Sequence, residues 1–94
     1  MDIQIQADNY HISEYVDQCA KKTAAKLIKR FNNIINCEFI LSNNGHSHRC
    51  ELIVLVPKHT FIAHADHELI PAAIEMTIPK IEKQLARYKE HSMR

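Results

Sequence analysis

Ninety-four residues at 10.9 kDa are enough for one small domain, and no second lobe is expected over residues 1–94. A hydrophobic fraction of 46% and a charged fraction of 24% are those of an ordinary globular chain, which excludes disordered and fibrous classes. The formal net charge of +1 and pI near 7.8 argue against an indiscriminate nucleic-acid binder, so the placement of the charges has to decide.

Several other classes fall on composition. The single glycine, Gly45, cannot supply a GxGxxG turn or a Walker loop, each of which needs several glycines for close backbone approach to phosphate. The longest apolar run, Leu52 to Val56, is far short of the roughly 20 residues that span a bilayer. The start Met1-Asp2-Ile3-Gln4 lacks the basic and apolar regions of a signal peptide. Cys19, Cys37 and Cys50 cannot all pair within the chain and form no CxxC, so they read as buried thiols in a reducing compartment, which indicates the cytoplasm.

In chain order, Ile3, Ile5 and Ala7 alternate with polar residues as a half-buried strand does. Ser13 then suits a helix N-cap, and Val16, Ala20, Ala24, Leu27 and Phe31 recur at helical spacing, predicting a helix from about Ser13 to Phe31. A second strand puts Ile35, Cys37, Phe39 and Leu41 on one face. Closing a hairpin at Asn44-Gly45 sets Phe39 opposite Cys50 and Cys37 opposite Leu52. A further reversal at Lys58-His59 sets Val56 opposite Phe61 and Val54 opposite Ala63, so Cys50, Leu52, Val54 and Val56 share a buried face with Phe61, Ala63 and Ala65. Ile70, Ile74, Ile78, Ile81, Leu85 and Tyr88 then mark a second helix. Pro71 fits its first turn, but Pro79 falls in its interior and predicts a kink or break near Thr77 to Pro79. The order β-α-β-β-β-α implies an α+β two-layer sandwich, with two helices on one face of a four-stranded sheet.

The charge is not evenly spread. Residues 12–31 carry +3 and residues 68–94 carry +1, whereas residues 1–11 carry −2 and residues 32–57 carry −1. Lys22, Lys26 and Lys29 lie on the first helix away from its apolar stripe, and Lys80, Lys83 and Arg87, with Lys89 nearby, do so on the second. If both helices cover the same sheet face, the two rows form one basic surface. The opposing consideration is that helix faces are normally charged, with acids favoured near N-termini and bases near C-termini.

The sequence resembles the ribosome hibernation promoting factor and ribosome-associated inhibitor family, formerly called sigma-54 modulation proteins, over nearly its whole length. The most specific stretch is Ala72-Ala73-Ile74-Glu75 followed by Lys80-Ile81-Glu82-Lys83-Gln84-Leu85-Ala86-Arg87-Tyr88-Lys89, similar to the family's AAID and KLERQLRKYK. Lys26-Leu27 with Lys29 and Phe31, and Cys50 to Pro57 (similar to VEVTLHLP), agree in order and spacing. The resemblance implies a double-stranded-RNA-binding-like fold that occupies the mRNA and tRNA channel of the small ribosomal subunit and stops translation sterically. It implies ribosomal-RNA contacts at Lys26, Lys29, Lys80, Lys83, Arg87 and Lys89, to which the charge mapping adds Lys22 and Arg30. Only four residues follow Glu90, so the chain resembles the short type, which implies inactive ribosome dimers formed in stationary phase or stress with a separate small modulation factor. Pro79 and the glycine-free turn Pro57-Lys58-His59 depart from the family pattern.

No enzyme and no cofactor are expected: the four serines lack a GxSxG context and the carboxylates show no acid and base pairing. His46-x-His48 and His64-x-x-His67 do not complete the ligand set that zinc requires and read as solvated loop histidines. Their protonation in acidified cells would instead strengthen phosphate binding. The hairpin registers bring Ile34, Leu55 and Ile62 together on the open face of the sheet, extended by Ile53 and Ile40. That patch offers an interface for a weak homodimer, or for a protein partner if the chain is instead a small regulatory interaction module.

Overall fold

The computed structural model describes residues 2–8 and 10–92. The elements run β1 (Asp2–Ala7), α1 (Glu14–Arg30), β2 (Asn36–Asn43), β3 (His48–Val56), β4 (His59–His67) and α2 (Ile70–Ser92). The sheet order is β1-β2-β3-β4, with β1 parallel to β2 and the other pairs antiparallel. This is the expected β-α-β-β-β-α architecture. The α1 crossover is what lets β1 and β2 lie parallel, because a tight turn can only reverse the chain.

Helix α1 is punctuated as its sequence requires. Ser13 caps it, its Oγ accepting from the Val16 N–H at 3.1 Å, with Glu14 and Asp17 in the first turn and Lys29 and Arg30 in the last. The Phe31 N–H closes it on the Leu27 carbonyl at 3.0 Å. Its stripe of Val16, Ala20, Ala24 and Leu27 is buried. Against it and α2 stand Cys37, Phe39, Leu41, Cys50, Leu52 and Val54, all fully buried. Burial raises the Cys37 thiol to about 11 and the Cys50 thiol to about 12, so neither is a thiolate at neutral pH. Cys19 differs from the sequence expectation, being only half-buried on α1.

Both hairpins differ from expectation by two residues while keeping the same faces. In the first, Phe39 faces Leu52 and Cys37 faces Val54, because the connection is a four-residue loop, Asn44 to Ser47, rather than a two-residue turn. Asn43 Oδ1 accepts from the Gly45 N–H at 2.7 Å and Asn44 Oδ1 from the Ser47 N–H at 3.0 Å, so side-chain acceptors stabilise the wider loop. In the second, the turn is Pro57-Lys58, so Val56 faces His59 and Val54 faces Phe61. Pro57 presets the first turn position, and Lys58 takes the second with a left-handed φ of 69°. A shift of two preserves the side-chain period of a strand, which is why the core set is unchanged.

Two further expectations are revised. Ile34, placed on the open face from sequence, is 3% exposed and belongs to the core, whereas Ile35 is 49% exposed. The strand starts only at Asn36; before it the Ile34 N–H turns back to the Phe31 carbonyl at 3.3 Å, so alternation cannot be extended to this position. Helix α2 continues through Pro79 without a break. The donor lost at Pro79 would have served the Glu75 carbonyl, and both residues are exposed, so water can meet that carbonyl. Two residues earlier, buried Thr77 donates its hydroxyl to the Ile74 carbonyl at 2.6 Å.

Candidate nucleic-acid interface

The two helices pack side by side on the same sheet face, which brings the two basic rows into one layer. On α1, Lys22, Lys26 and Lys29 are exposed. Lys22 borders a hollow of about 270 Å3 with Tyr15, Gln18 and Cys19. Lys26 borders one of about 200 Å3 at the seam, with Thr23 beside it and Glu75, Ile78 and Pro79 across it on α2. Arg30 crosses the seam to pair with Glu82, and its guanidinium lies 5.6 Å from the Phe31 ring centroid. Lys21 is held by Asp17 at 2.9 Å one turn earlier, which leaves Lys22 and Lys26 as the outward cations of that stretch.

On α2 the cations do not all face α1. Lys80, Lys83 and Arg87 line a hollow of about 410 Å3 on the β4 side of the helix, together with Ile62, His64 and Gln84. Lys89 points the other way, into a hollow of about 170 Å3 with Phe31, Asn32 and Asn33 at the end of α1. The anticipated single surface is therefore one layer with α2 as its ridge: Lys80, Lys83 and Arg87 on one slope, Lys26, Arg30 and Lys89 along the other. Glu75 and Glu82 interrupt the basic character at the seam.

The 410 Å3 hollow depends on contacts that helical periodicity does not reveal. β4 is an edge strand, and α2 donates to its outward carbonyls: Lys80 Nζ to His64 at 2.7 Å and Gln84 Nε2 to Ile62 at 3.2 Å. Tyr88 continues the row, its hydroxyl donating to the Pro57 carbonyl at 3.4 Å. These residues are four apart, so they lie along one side of α2. The arrangement fixes the spacing between helix and strand and with it the width of the hollow. Lys83 and Arg87 remain exposed beside it, in a position to neutralise phosphate.

The histidines divide by place. His46 is exposed in the β2–β3 loop. His48 lies on β3 opposite His67, with its Nδ1 buried and its ring 6.0 Å from Tyr10 in an edge contact, so it is not a solvated loop residue. Among the described residues, no group of three or more His, Cys, Asp or Glu side chains is placed to hold a metal ion. Also among the described residues, no helix is long and apolar enough to cross a membrane.

On the open sheet face, Leu55 is 38% and Ile62 52% exposed. Ile53 pairs directly with Ile62, and Leu55 pairs with Asn36 and Thr60, so the apolar patch is Ile53, Ile62 and Leu55 without Ile34.

Comparison with known proteins accords with this geometry. The chain is 23% identical to a ribosome hibernation promoting factor of Pseudomonas putida over 90 residues, covering 96% of this chain and 88% of that protein. It is 22% identical to one of Azotobacter vinelandii over 90 residues, covering 96% and 84%. Its fold is similar to that of a ribosomal subunit interface protein from Coxiella burnetii, with a TM-score of 0.89 at 23% identity over 96% of this chain and 99% of that one. It is also similar to the N-terminal domain of Protein Y from Thermus thermophilus, with a TM-score of 0.82 at 23% identity over 94% and 99%. The family model described as Sigma 54 modulation protein / S30EA ribosomal protein matches residues 3–92, and the chain belongs to that family.

Proposed function

We propose that this protein is a ribosome hibernation factor that binds the small ribosomal subunit through its helix layer and inhibits translation by obstructing the mRNA and tRNA channel. The family is non-catalytic, and the reading requires steric occupancy only. The observation that carries it is the sorting of cations onto the outer surface of α1 and α2: Lys22, Lys26 and Lys29 on one helix, Lys80, Lys83 and Arg87 on the other. Lys89 and Arg30 flank this set. Lysine and arginine release counterions when they neutralise phosphates, and a folded RNA is recognised by shape more than by base sequence. In this reading the protein acts in the cytoplasm as a single domain without cofactor, in stationary phase or stress, and promotes inactive ribosome dimers together with a separate modulation factor.

The test is cosedimentation with purified small subunits across a salt series. Reversing Lys26, Lys83 and Arg87 to Glu is expected to weaken binding at least 100-fold and to flatten the dependence of log affinity on log salt by about two to three, roughly one for each lost phosphate contact. Unchanged affinity in that triple variant would refute the reading. A second reading, protein binding through the open sheet, is supported by the exposure of Leu55 and Ile62. It requires salt-insensitive binding that is lost in Leu55→Lys.

A further inference from the structure

The tip of the β3–β4 hairpin combines three features that the basic helix rows do not explain. First, His59 is exposed and its ring stacks on Tyr88, with centroids 5.2 Å apart and planes 22° from parallel. Phe61 supports both rings, at 4.4 Å from His59 and 5.3 Å from Tyr88. The Tyr88 hydroxyl, bonded to the Pro57 carbonyl, fixes the stack to the backbone of the turn. Second, Lys58 occupies the left-handed position that a turn of this kind gives to glycine. A lysine there carries backbone strain, and strain retained in a turn is a reason to look for a function of the side chain. Third, Tyr88 stands one turn beyond Gln84 on α2, and Gln84 lines the hollow together with Lys80, Lys83 and Arg87.

An exposed ring braced by two others, beside cations, has the composition of the stacking platforms that hold unpaired nucleotides. We propose that the hairpin tip is a nucleotide-binding subsite, in which one unpaired RNA base stacks on the His59 ring and Lys58 neutralises the adjoining phosphate. The inference rests on the RNA-binding reading above, and it adds base contact to a surface otherwise built for phosphates. The bland account of the same rings is that they fasten the end of α2 to the hairpin and do nothing more.

The experiment uses the full chain and two single-stranded RNA probes of equal length, oligoadenylate and an abasic strand, followed by NMR of the His59 ring protons. Oligoadenylate is expected to shift those resonances and the abasic strand to leave them in place. Equal shifts with both probes, or none with either, would overturn the proposal. On small ribosomal subunits, His59→Ala is expected to weaken binding about 5- to 100-fold with no change of salt slope, and His59→Phe to restore it to within about twofold. Lys58→Gly is expected to raise the melting temperature, by relieving the left-handed lysine, while weakening subunit binding several-fold. If His59→Ala lowers the melting temperature and leaves binding intact, the rings only fasten the helix. That outcome sinks the stacking subsite without touching the ribosome-binding reading, which fails separately if the Lys26, Lys83 and Arg87 reversal has no effect.

Discussion

The helix layer and the open face of the sheet are the two large surfaces of this molecule, and they carry different chemistry. Outward on α1 and α2 stand Lys22, Lys26, Lys29, Lys83 and Arg87, with the acids Asp17 and Glu82 tied to Lys21 and Arg30. Among the described side chains, outward on the sheet stand Glu38, Glu51 and Asp66 against a single arginine, Arg49, among the apolar residues Ile53, Leu55 and Ile62. Glu38 accepts from Gln6 at 2.6 Å and Asp66 is bonded by Arg49, so two of the three carboxylates have donors on their own face. A net charge of +1 thus averages two surfaces of opposite character. Whole-chain charge is a poor guide to nucleic-acid binding when a two-layer fold can place its cations on one layer.

That contrast can be broken from either side. The largest effect expected is on the helix side: Pro79→Ala restores a helical donor without touching the sheet and should raise stability by about 1–3 kcal/mol. At about 4–8 °C per kcal/mol for a domain of this size, calorimetry would detect it readily. A fall in melting temperature would mean that the proline is held by contacts on the α1 seam. On the sheet side, Leu55→Lys should alter stability by less than about 0.5 kcal/mol, because the side chain is already partly in water. It should leave subunit binding unchanged and abolish any self-association, as read by sedimentation velocity. Binding lost through this substitution would transfer the functional surface from the helices to the sheet.

The smallest effect expected concerns the cross-strand pair. Arg49 donates to Asp66 at 2.8 Å and 3.1 Å and holds its carboxyl below the ordinary value. A carboxylate lowered in the folded state adds stability that is present above its unfolded pKa, near 3.9, and is lost as pH falls through the lower folded value. Asp66→Asn should therefore bring the variant and parent closer in stability as pH drops below about 4, with a small difference at neutral pH. A gap that widened on acidification would contradict the assignment.

Much of the fold was legible because alternation and helical spacing report which way side chains point. Both hairpins were offset by two residues in the sequence reading, yet Cys37, Phe39, Leu52 and Val54 still came out buried, since an even shift keeps every side chain on its face. Ile34 was misplaced because the backbone turns just before Asn36, and periodicity carries no information across a turn. Pro79 predicts a kink or a break, and of these the break does not occur, because packing of Ile74, Thr77, Ile81 and Leu85 keeps α2 continuous through it. At the site, the basic residues were visible but their grouping was not. Whether Lys80 faces α1 or β4 depends on where α2 lies over the sheet, and that is a tertiary fact. The His59 and Tyr88 stack was hidden for the same reason, its members being far apart in the chain.

The contacts from Lys80 and Gln84 to β4 have a consequence for assembly. A sheet with two free borders can add strands without end, whereas one whose outward carbonyls are already occupied along a border can grow only from the other. Here two carbonyls of the β4 border, those of Ile62 and His64, are occupied, and the other border is the six-residue β1. Strand-to-strand joining of two copies through β1 would leave only the partly occupied β4 borders facing outward, which disfavours extension of such a pair into a fibre.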